Sequence, residues 1–379
     1  MHENTKRSLL AVAAVGALLT IAGWLVNTPR TSAGVLLAAS WVLGIGLGGL
    51  AFIAFGYVTR AGWSAALRRV PEAMAGTLPL GAGLMLLALL FGPYLYEWMH
   101  EEHHDALLAK KTAWLNSGFF YVRAVFYLAV WLFFARAIRR VSVGQDESGD
   151  VGATATNLRL STIFLICFAL TFSFASFDWI MSIEAHWFST VYAVYCFSGM
   201  FVSAIAAVTL ISILLKRHGP FGKVLREDHL HDLGKLTLGF TTFWAYIWFC
   251  QYMLIWYSNM PEETSYYITR FSGAWGPLMF ANLVVNWLVP FVVLLPRPAK
   301  RKEGVMFWVA ILLLVGRVLD LFLLIQPGLF DTPRFGIWEL APLAATVPIA
   351  VIVLMRAFGQ AAPVPKHDPM MVESMHYHN

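Results

Sequence analysis

The feature that most constrains this chain is a series of ten mainly apolar runs, each long enough to cross a lipid bilayer. A spanning helix needs about 20 such residues, because the hydrocarbon core of a bilayer is about 30 Å thick. Backbone amides inside lipid must be hydrogen-bonded within the chain, so runs of this length are predicted to be helical. They lie near 8–27, 34–58, 76–96, 114–135, 158–182, 187–215, 234–257, 275–296, 304–326 and 337–358.

The composition agrees with an all-α integral membrane protein. Charged residues make up 13% of the 379 residues, about half of the fraction in soluble domains. The first run lacks a clean cleavage site, so we expect a retained helix and not a signal peptide. We predict one ten-helix transmembrane domain over residues 1–360 and a cytoplasmic tail over 361–379. The polar stretch 141–157 is predicted to be a flexible loop between two spans.

Lysine and arginine predict the orientation. With a cytoplasmic N-terminus, 20 of the 27 basic residues fall in inner loops or termini and 5 in outer loops, while Arg123 and Arg317 lie within spans. Cytoplasmic loops carry such an excess, so we expect both termini in the cytoplasm. The basic residues are spread over many loops, which favours contact with membrane lipid and argues against binding of nucleic acid.

The stretch SFDWIMSIEAHWFST, at 176–190, places Asp178, Glu184 and His186 at the predicted outer surface. Arg123, in the outer third of the fourth span, is a natural partner for Asp178, since charges in lipid usually pair or line a wet cavity. One interpretation is an outward-facing proton-exchange site or the polar rim of a quinone pocket. The other is a hydrogen-bonded turn, in which the carboxylates stabilise helix ends.

Other polar residues within or beside the spans are further proton-transfer candidates. Arg317 and Asp320 are three residues apart in the ninth span and can neutralise each other, and Glu339 begins the tenth span on the same side. The seventh span carries Thr241 and Tyr246 among other hydroxyls, which can hold a water wire or bond to neighbouring backbone. A role in helix packing explains each of these residues as well.

The stretch EWMHEEHHDALLAKK, at 97–111, follows the third span. Glu97, His100, Glu101 and His104 have the spacing of one helix face, which suits either docking of a partner subunit or a zinc ion. We predict docking and no metal. Trp114, Tyr266 and Tyr267 in the outer loops are predicted to contact extramembrane partners or to form the aromatic belt.

The sequence offers no ligand set for a redox centre of its own. None of its 11 histidines lies near the middle of a predicted span, as axial ligands of haem b would. The three cysteines, Cys167, Cys196 and Cys250, lie apart in apolar runs, which excludes a cysteine-ligated iron–sulfur cluster and covalently attached haem c. We therefore expect no cofactor bound by this chain and no catalytic residue in it.

Three stretches together resemble a known family: FDWIMSIEAHWFST at 177–190, HLHDLGKLTLGFTTFWAYIWFCQYMLIWYSN at 229–259 and MPEET at 260–264. They are similar to the ActF-type subunit of alternative complex III, a bacterial quinol:cytochrome c or quinol:acceptor oxidoreductase, within the NrfD-like family. The resemblance covers most of the chain. It implies two four-helix bundles, spans two to five and six to nine, with the first and last helices outside them.

The resemblance also implies partners and a location. They are an ActC-type NrfD-like subunit, an iron–sulfur subunit, c-type cytochrome subunits and in some cases a terminal oxidase, all at the bacterial inner membrane. Haem c and iron–sulfur clusters belong to those partners, and quinone or menaquinone is a candidate ligand. The chain is then an accessory subunit that supports quinol oxidation, with half-channels for protons.

Two other classes of function remain open from the residues. The paired charges inside spans suit a proton- or cation-coupled transporter, although such proteins usually show repeats with matched broken helices. Pro290 and Pro348, the prolines well inside spans, are not at matched positions. The third class is a purely structural membrane anchor.

Overall fold

The computed structural model describes residues 3–100, 106–222 and 224–377, and this part of the chain contains helices and no strands. Several connections are short 3₁₀ turns. The α-helices are α1 (Glu3–Val26), α2 (Thr28–Val58), α3 (Arg69–Ala75), α4 (Leu78–Leu90), α5 (Ala106–Lys111), α6 (Ser117–Ser148), α7 (Gly152–Trp179), α8 (Tyr192–His218), α9 (Glu227–Ser258), α10 (Pro261–Phe271), α11 (Trp275–Leu283), α12 (Val289–Leu294), α13 (Arg297–Arg301), α14 (Glu303–Ile325), α15 (Ile337–Phe358) and α16 (Met371–Met375).

Within the described ranges, nine helical segments are long and apolar enough to cross a membrane, which makes this a multi-pass membrane protein. Two of the nine are composite: α3 with α4, and α11 with α12. The tenth predicted run, 234–257, lies inside α9. That helix has sufficient length but is not among the nine, because its many Thr, Trp and Tyr residues lower its mean hydropathy.

The prediction of a flexible loop over 141–157 is wrong. Helix α6 continues to Ser148 and α7 begins at Gly152, so only three residues connect them. Gly149 ends α6 in the left-handed conformation, φ 67°, and its N–H donates to the Gln145 carbonyl. The Gln145 side chain donates to the Thr154 hydroxyl at 2.9 Å. Polar composition suggested disorder, but a helix cap and a side-chain bridge fix the turn.

Helices α2 and α8 form the centre of the molecule. Helix α2 contacts α4, α7, α8 and α15, and α8 also contacts α9 and α14. The two central helices approach closely where Gly48 faces Ala204: a Cβ atom on Gly48 would lie 2.5 Å from the Ala204 Cβ. Small residues at such crossings let backbones approach, which is how helices associate where no hydrophobic effect drives them together.

Helix α1 lies at the periphery and packs mainly on α15. A Cβ atom on Gly16 would lie 2.7 Å from the backbone carbon of Ala344 and 2.9 Å from the Ala341 oxygen. Elsewhere α1 exposes large apolar side chains such as Leu18 and Leu25. Helix α1 thus packs closely on α15 through a glycine on one side and exposes leucine on the other. This arrangement suits a helix that lies between protein and lipid.

Successive spanning helices alternate in direction, so their connections collect at two ends of the molecule. We call them the upper end, predicted to face outward, and the lower end, predicted to face the cytoplasm. The upper end includes residues 106–116, 180–191, 259–274 and 326–336, and the lower end includes 59–68, 149–151, 295–302 and 359–377.

The C-terminal segment, residues 361–377, folds back onto the lower end. Asp368 forms an ion pair with Arg68, and both side chains are buried. The Ser374 hydroxyl donates to the Trp63 carbonyl at 2.7 Å and accepts from the Ala66 amide at 3.1 Å. The predicted tail is therefore, over its described residues, part of the packed structure.

Candidate functional site

The predicted pair of Arg123 and Asp178 is present and buried. Asp178 lies one residue before the end of α7 and is 1% exposed. Its carboxylate accepts hydrogen bonds from Arg123 Nε at 2.8 Å and Nη2 at 2.9 Å. It also accepts from Trp114 Nε1 at 2.8 Å and from the Tyr127 hydroxyl at 3.0 Å.

These four donors fill the acceptor positions of the Asp178 carboxylate, which has about four lone-pair sites. The Arg123 guanidinium is held as firmly: its Nη1 donates to the Trp114 carbonyl at 3.0 Å, and its Cζ lies 4.1 Å from the centre of the Trp114 ring. A buried ion pair is tolerated only when the remaining polar atoms are satisfied, and here they are. The geometry favours a fixed anion that joins α6 to α7.

The other two residues predicted beside Asp178 lie in different surroundings. Glu184 ends the 3₁₀ turn Met181–Glu184, and its Oε1 accepts from Arg270 Nη2 at 2.6 Å. Arg270, on α10, is 1% exposed and also donates to the Leu323 carbonyl. His186 is exposed at the upper surface. The stretch thus joins α7 to α10 through Glu184, and of the three predicted residues His186 is the exposed one.

The second predicted pair, Arg317 and Asp320 on α14, is also present, from Nη1 to Oδ2. Both residues are buried. Asp320 Oδ1 accepts from the Tyr195 hydroxyl at 2.6 Å and from Asn282 Nδ2 at 3.1 Å. Residues from α8, α11 and α14 therefore meet at one carboxylate.

The helix that contacts α14 changes to a π-helical turn at the same level. Between α11 and α12, Val284–Leu288 forms a π-helical turn. Asn286 in this turn donates to Asn282 Oδ1 at 2.7 Å and to the Gly316 carbonyl at 3.1 Å. Pro290 follows, and a proline ring clashes with the carbonyl four residues earlier in a regular helix, which the wider turn relieves. The sequence indicated the proline kink but not the two asparagines.

A small cavity lies between the two ion pairs. Its volume is about 50 Å³, and Arg317, Ser40, Cys196 and Trp179 are among its lining residues. Ser40 Oγ and Trp179 Nε1 are buried and have no hydrogen-bond partner in the described part of the chain. A space of this size has room for one or two water molecules, which such polar atoms bind. Water in this cavity would connect Arg317 with Trp179, which follows Asp178 in the sequence.

Glu339 belongs to a third buried pair. It is 0% exposed and accepts from Arg30 Nε at 2.9 Å and Nη2 at 2.7 Å, and from the Gly336 amide at 2.7 Å. This bidentate pair ties the start of α15 to the start of α2. The sequence suggested Glu339 as a candidate but gave no partner for it.

The candidates on α9 do not form one polar route. Thr241 is buried, and its hydroxyl donates to the Thr237 carbonyl one turn earlier at 2.8 Å. Tyr246 is 60% exposed, on the side of α9 away from the interior. Thr241 therefore bonds to the helix backbone, which was the alternative to a water wire, and Tyr246 lies toward lipid.

The predicted docking residues Glu97 and His100 are exposed at the upper end, whereas His104 and Glu101 lie outside the described residues. Glu97 begins a single 3₁₀ turn, and His100 follows it in an extended conformation. The helix face assumed for this stretch is thus interrupted at His100, because the turn ends there. Among the described residues, no group of three or more His, Cys, Asp or Glu is placed to hold a metal ion.

The predicted partner contacts through Tyr266 and Tyr267 are not available in this structure, since these side chains are 5% and 6% exposed. Trp114 is 38% exposed while its Nε1 binds Asp178. The sequence did not distinguish buried from exposed aromatic residues because both occur at a membrane boundary.

No protein-family model matches the chain, and no curated protein matches it.

Proposed function

We propose that this chain is an accessory membrane subunit, without a redox group of its own, of a bacterial respiratory quinol:cytochrome c or quinol:acceptor oxidoreductase of the alternative complex III type. The observation that carries the proposal is that two of the three stretches resembling this family contact each other at the upper end. Trp187, from 177–190, donates through Nε1 to the Glu263 carbonyl, from 260–264, at 3.1 Å. Its ring stacks on Tyr266 with centroids 4.0 Å apart.

Helix contacts support the bundle arrangement included in this proposal. In the first bundle, α2 contacts α4, α4 contacts α6, α6 contacts α7, and α7 contacts α2. In the second, α8 contacts α9, α9 contacts α12, the π-helical turn contacts α14, and α14 contacts α8. Helices α1 and α15 lie outside both sets. With both termini in the cytoplasm of a bacterial inner membrane, the upper end faces outward, toward the iron–sulfur and c-type cytochrome subunits.

The Arg317–Asp320 pair and the cavity beside it form the proposed route for protons. Ser40 Oγ and Trp179 Nε1, which have no hydrogen-bond partner among the described residues, supply binding positions for water there. Asp320 is the carboxylate placed on the route, because it adjoins Arg317, which lines the cavity, whereas four donors occupy Asp178. Asp178 and Glu339 hold helices in place around the route.

Purification from the native membrane tests the assembly. The tagged chain should bring down polypeptides with haem c, detected by absorbance, and with iron–sulfur clusters, detected by electron paramagnetic resonance. Recovery of the chain without them, from gently solubilised membranes, would contradict the proposal.

Proton release tests the route. In the assembled complex, Asp320→Asn should reduce proton release per quinol oxidised, while Asp331→Asn, a change at an exposed acid of the same end, should not. Unchanged proton release in a fully assembled Asp320→Asn complex would contradict the proposed proton route. The proposal that the chain is a subunit of the complex would still stand.

A second candidate function is a proton- or cation-coupled transporter. The π-helical turn favours it, because Asn282 donates to the buried Asp320 and Asn286 in the turn donates to Asn282, and transporters place binding sites at irregular helices. Purified chain in liposomes should then move protons or cations down an imposed gradient. Co-purification with redox subunits and no transport by the isolated chain would exclude this function.

A further inference from the structure

A large groove lies on the membrane-facing side of α6, toward the lower end. Its volume is about 990 Å³. Leu132 and Phe133 line one part of it, and Arg136, Arg139 and Arg140 line the other. Phe133 is 61% exposed. The groove therefore has an apolar part and a basic part that follow each other along one helix.

The position of α6 in the membrane places these two parts at different depths. The helix begins at Ser117 at the upper end, and about 20 residues suffice to cross the hydrocarbon core. The lower boundary of the core thus falls near residue 137. Leu132 and Phe133 then lie within the hydrocarbon, and Arg136 and Arg140 lie at the depth of lipid phosphates.

Two of the three arginines are available to a ligand. Arg139 is directed inward and donates to the carbonyls of Glu72 and Ala357. Arg136 and Arg140 are exposed, one helical turn apart, and neither makes an ion pair or hydrogen bond to the described residues.

Four other arginines of the lower end differ from Arg136 and Arg140 in their surroundings. Arg68, Arg69, Arg217 and Arg301 are each paired with a carboxylate. Two uncompensated guanidinium groups on adjacent turns, next to exposed apolar surface, form a site for an anion that carries a hydrocarbon chain. Guanidinium groups bind phosphate oxygens with strong, charge-assisted hydrogen bonds.

We propose that this groove binds an anionic phospholipid, with its phosphate between Arg136 and Arg140 and an acyl chain along Leu132 and Phe133. Basic pockets at this boundary of membrane proteins suit anionic headgroups. A zwitterionic lipid would place a cationic amine beside the arginines, so lipids with net negative charge are preferred. The lipid completes the lower surface of α6, where no carboxylate of the described residues pairs with Arg136 or Arg140.

Lipid retention tests this site. The chain, with any subunits that co-purify, is placed in nanodiscs of phosphatidylcholine containing a minor fraction of phosphatidylglycerol, and bound lipid is measured by native mass spectrometry. The unmodified protein should retain phosphatidylglycerol above its bulk fraction. The double variant Arg136→Gln/Arg140→Gln should lower that retention about tenfold, since each basic residue at the surface adds to the attraction.

Two matched variants make the result specific. Arg159→Gln removes an exposed arginine of the lower end that lies on α7, outside the groove, and should leave retention unchanged. Arg136→Lys/Arg140→Lys keeps the charge and should retain most of the lipid. Equal losses in Arg159→Gln and the double variant, or no loss in the double variant, would overturn the proposal.

A measurement on the unmodified protein applies even where the double variant does not fold. A photoreactive anionic phospholipid should label peptides within residues 129–143. Labelling confined to other parts of the chain, or competition by a partner subunit bound over the groove, would overturn the proposal.

Discussion

Three of the buried carboxylates in this protein are paired with an arginine, and two of these three pairs join different helices. Asp178 binds Arg123, Asp320 binds Arg317, and Glu339 binds Arg30. A charge left alone at the centre of a bilayer costs at least about 2.5–3.5 kcal/mol, so each residue of a pair requires the other. The individual residues therefore matter first for assembly of the fold and only then for any chemistry.

The pair of Arg123 and Asp178 should show this dependence in a double-mutant cycle. Asp178→Asn leaves Arg123 buried without a counter-ion, and Arg123→Gln leaves Asp178 buried without one. Each change should destabilise the protein by about 3–5 kcal/mol. The double variant should lose less than the sum by about 2 kcal/mol or more. Thermal unfolding in detergent measures all three variants. Additive losses would mean that the two side chains do not depend on each other.

His229 should make docking of the C-terminal segment sensitive to pH. It lies before the predicted span 234–257, at the lower end, and its Nε2 is 3.4 Å from the Ser374 hydroxyl. Burial lowers the pKa of His229 below its ordinary value of 6.5, although nearby Asp228 and Asp232 oppose the shift. The docked state favours the neutral ring, so its stability is full above pH 6.5 and decreases as the pH falls below that value.

The measurement is the rate of tryptic cleavage at Lys366 in the unmodified protein relative to His229→Gln at the same pH. Comparison at each pH cancels the pH dependence of the protease itself. The ratio should rise as the pH falls from 7.5 to 5.5. A ratio independent of pH would show that His229 does not control docking.

The sequence indicates the pairs that follow from local spacing or chain direction. Arg317 and Asp320 are one turn apart, and Arg123 and Asp178 lie at the same depth on consecutive spans. It does not indicate Arg270 as the partner of Glu184 or Arg30 as the partner of Glu339, which are 86 and 309 residues apart. Those contacts depend on which helices are neighbours, and apolar patterning carries no such information.

Among the elements, the π-helical turn in the helix that contacts α14 is the feature that hydropathy could not predict. Its apolar composition is continuous, and the π-helical turn arises from Pro290 and from the hydrogen bonds of Asn286. The positions of most other spans were predictable, because a long apolar run in the sequence marks a membrane helix. Prediction of a loop at 141–157 failed because helix propensity at polar residues depends on the caps and partners available.

The close contact of α14 with the π-helical turn can be tested at Gly316. A Cβ atom there would lie 2.5 Å from Asn286 Oδ1 and 2.8 Å from Val285 Cγ1. Gly316→Ala should therefore destabilise the protein by about 1–3 kcal/mol. At Gly239, on α9, a Cβ atom meets nothing within 4 Å. Gly239→Ala should be neutral or stabilising by about 0.5–1 kcal/mol. Melting temperatures that fall equally in Gly316→Ala and Gly239→Ala would show that the close contact at Gly316 does not affect stability.

In the whole molecule, the C-terminal segment joins parts of the lower end that are far apart in sequence. Asp368 balances Arg68, which follows α2, and the Lys366 amide donates to Asp146 at 2.9 Å, near the end of α6. Arg226, which precedes α9, donates to the Met375 carbonyl at 2.9 Å. One short segment thus contacts elements of both proposed bundles.

Asp368→Asn should release this segment. The change leaves Arg68, which is 7% exposed, without its counter-ion, and removal of one partner from a buried pair costs about 3–5 kcal/mol. Cleavage at Lys366 by trypsin should become at least tenfold faster. Glu147→Gln alters an exposed acid of the same end and should have no effect. Equal cleavage in both variants would show that the ion pair does not hold the segment.

The position of this segment in the chain has a consequence for biogenesis. Residues 361–377 leave the ribosome after all the spanning helices, whereas Arg68 is synthesised early, directly after α2. Until translation has passed residue 368, Arg68 has no Asp368 to pair with and must be accommodated by water or by lipid headgroups. Closure of the lower end is therefore a post-insertion step, and a nascent chain stopped before it keeps that end open.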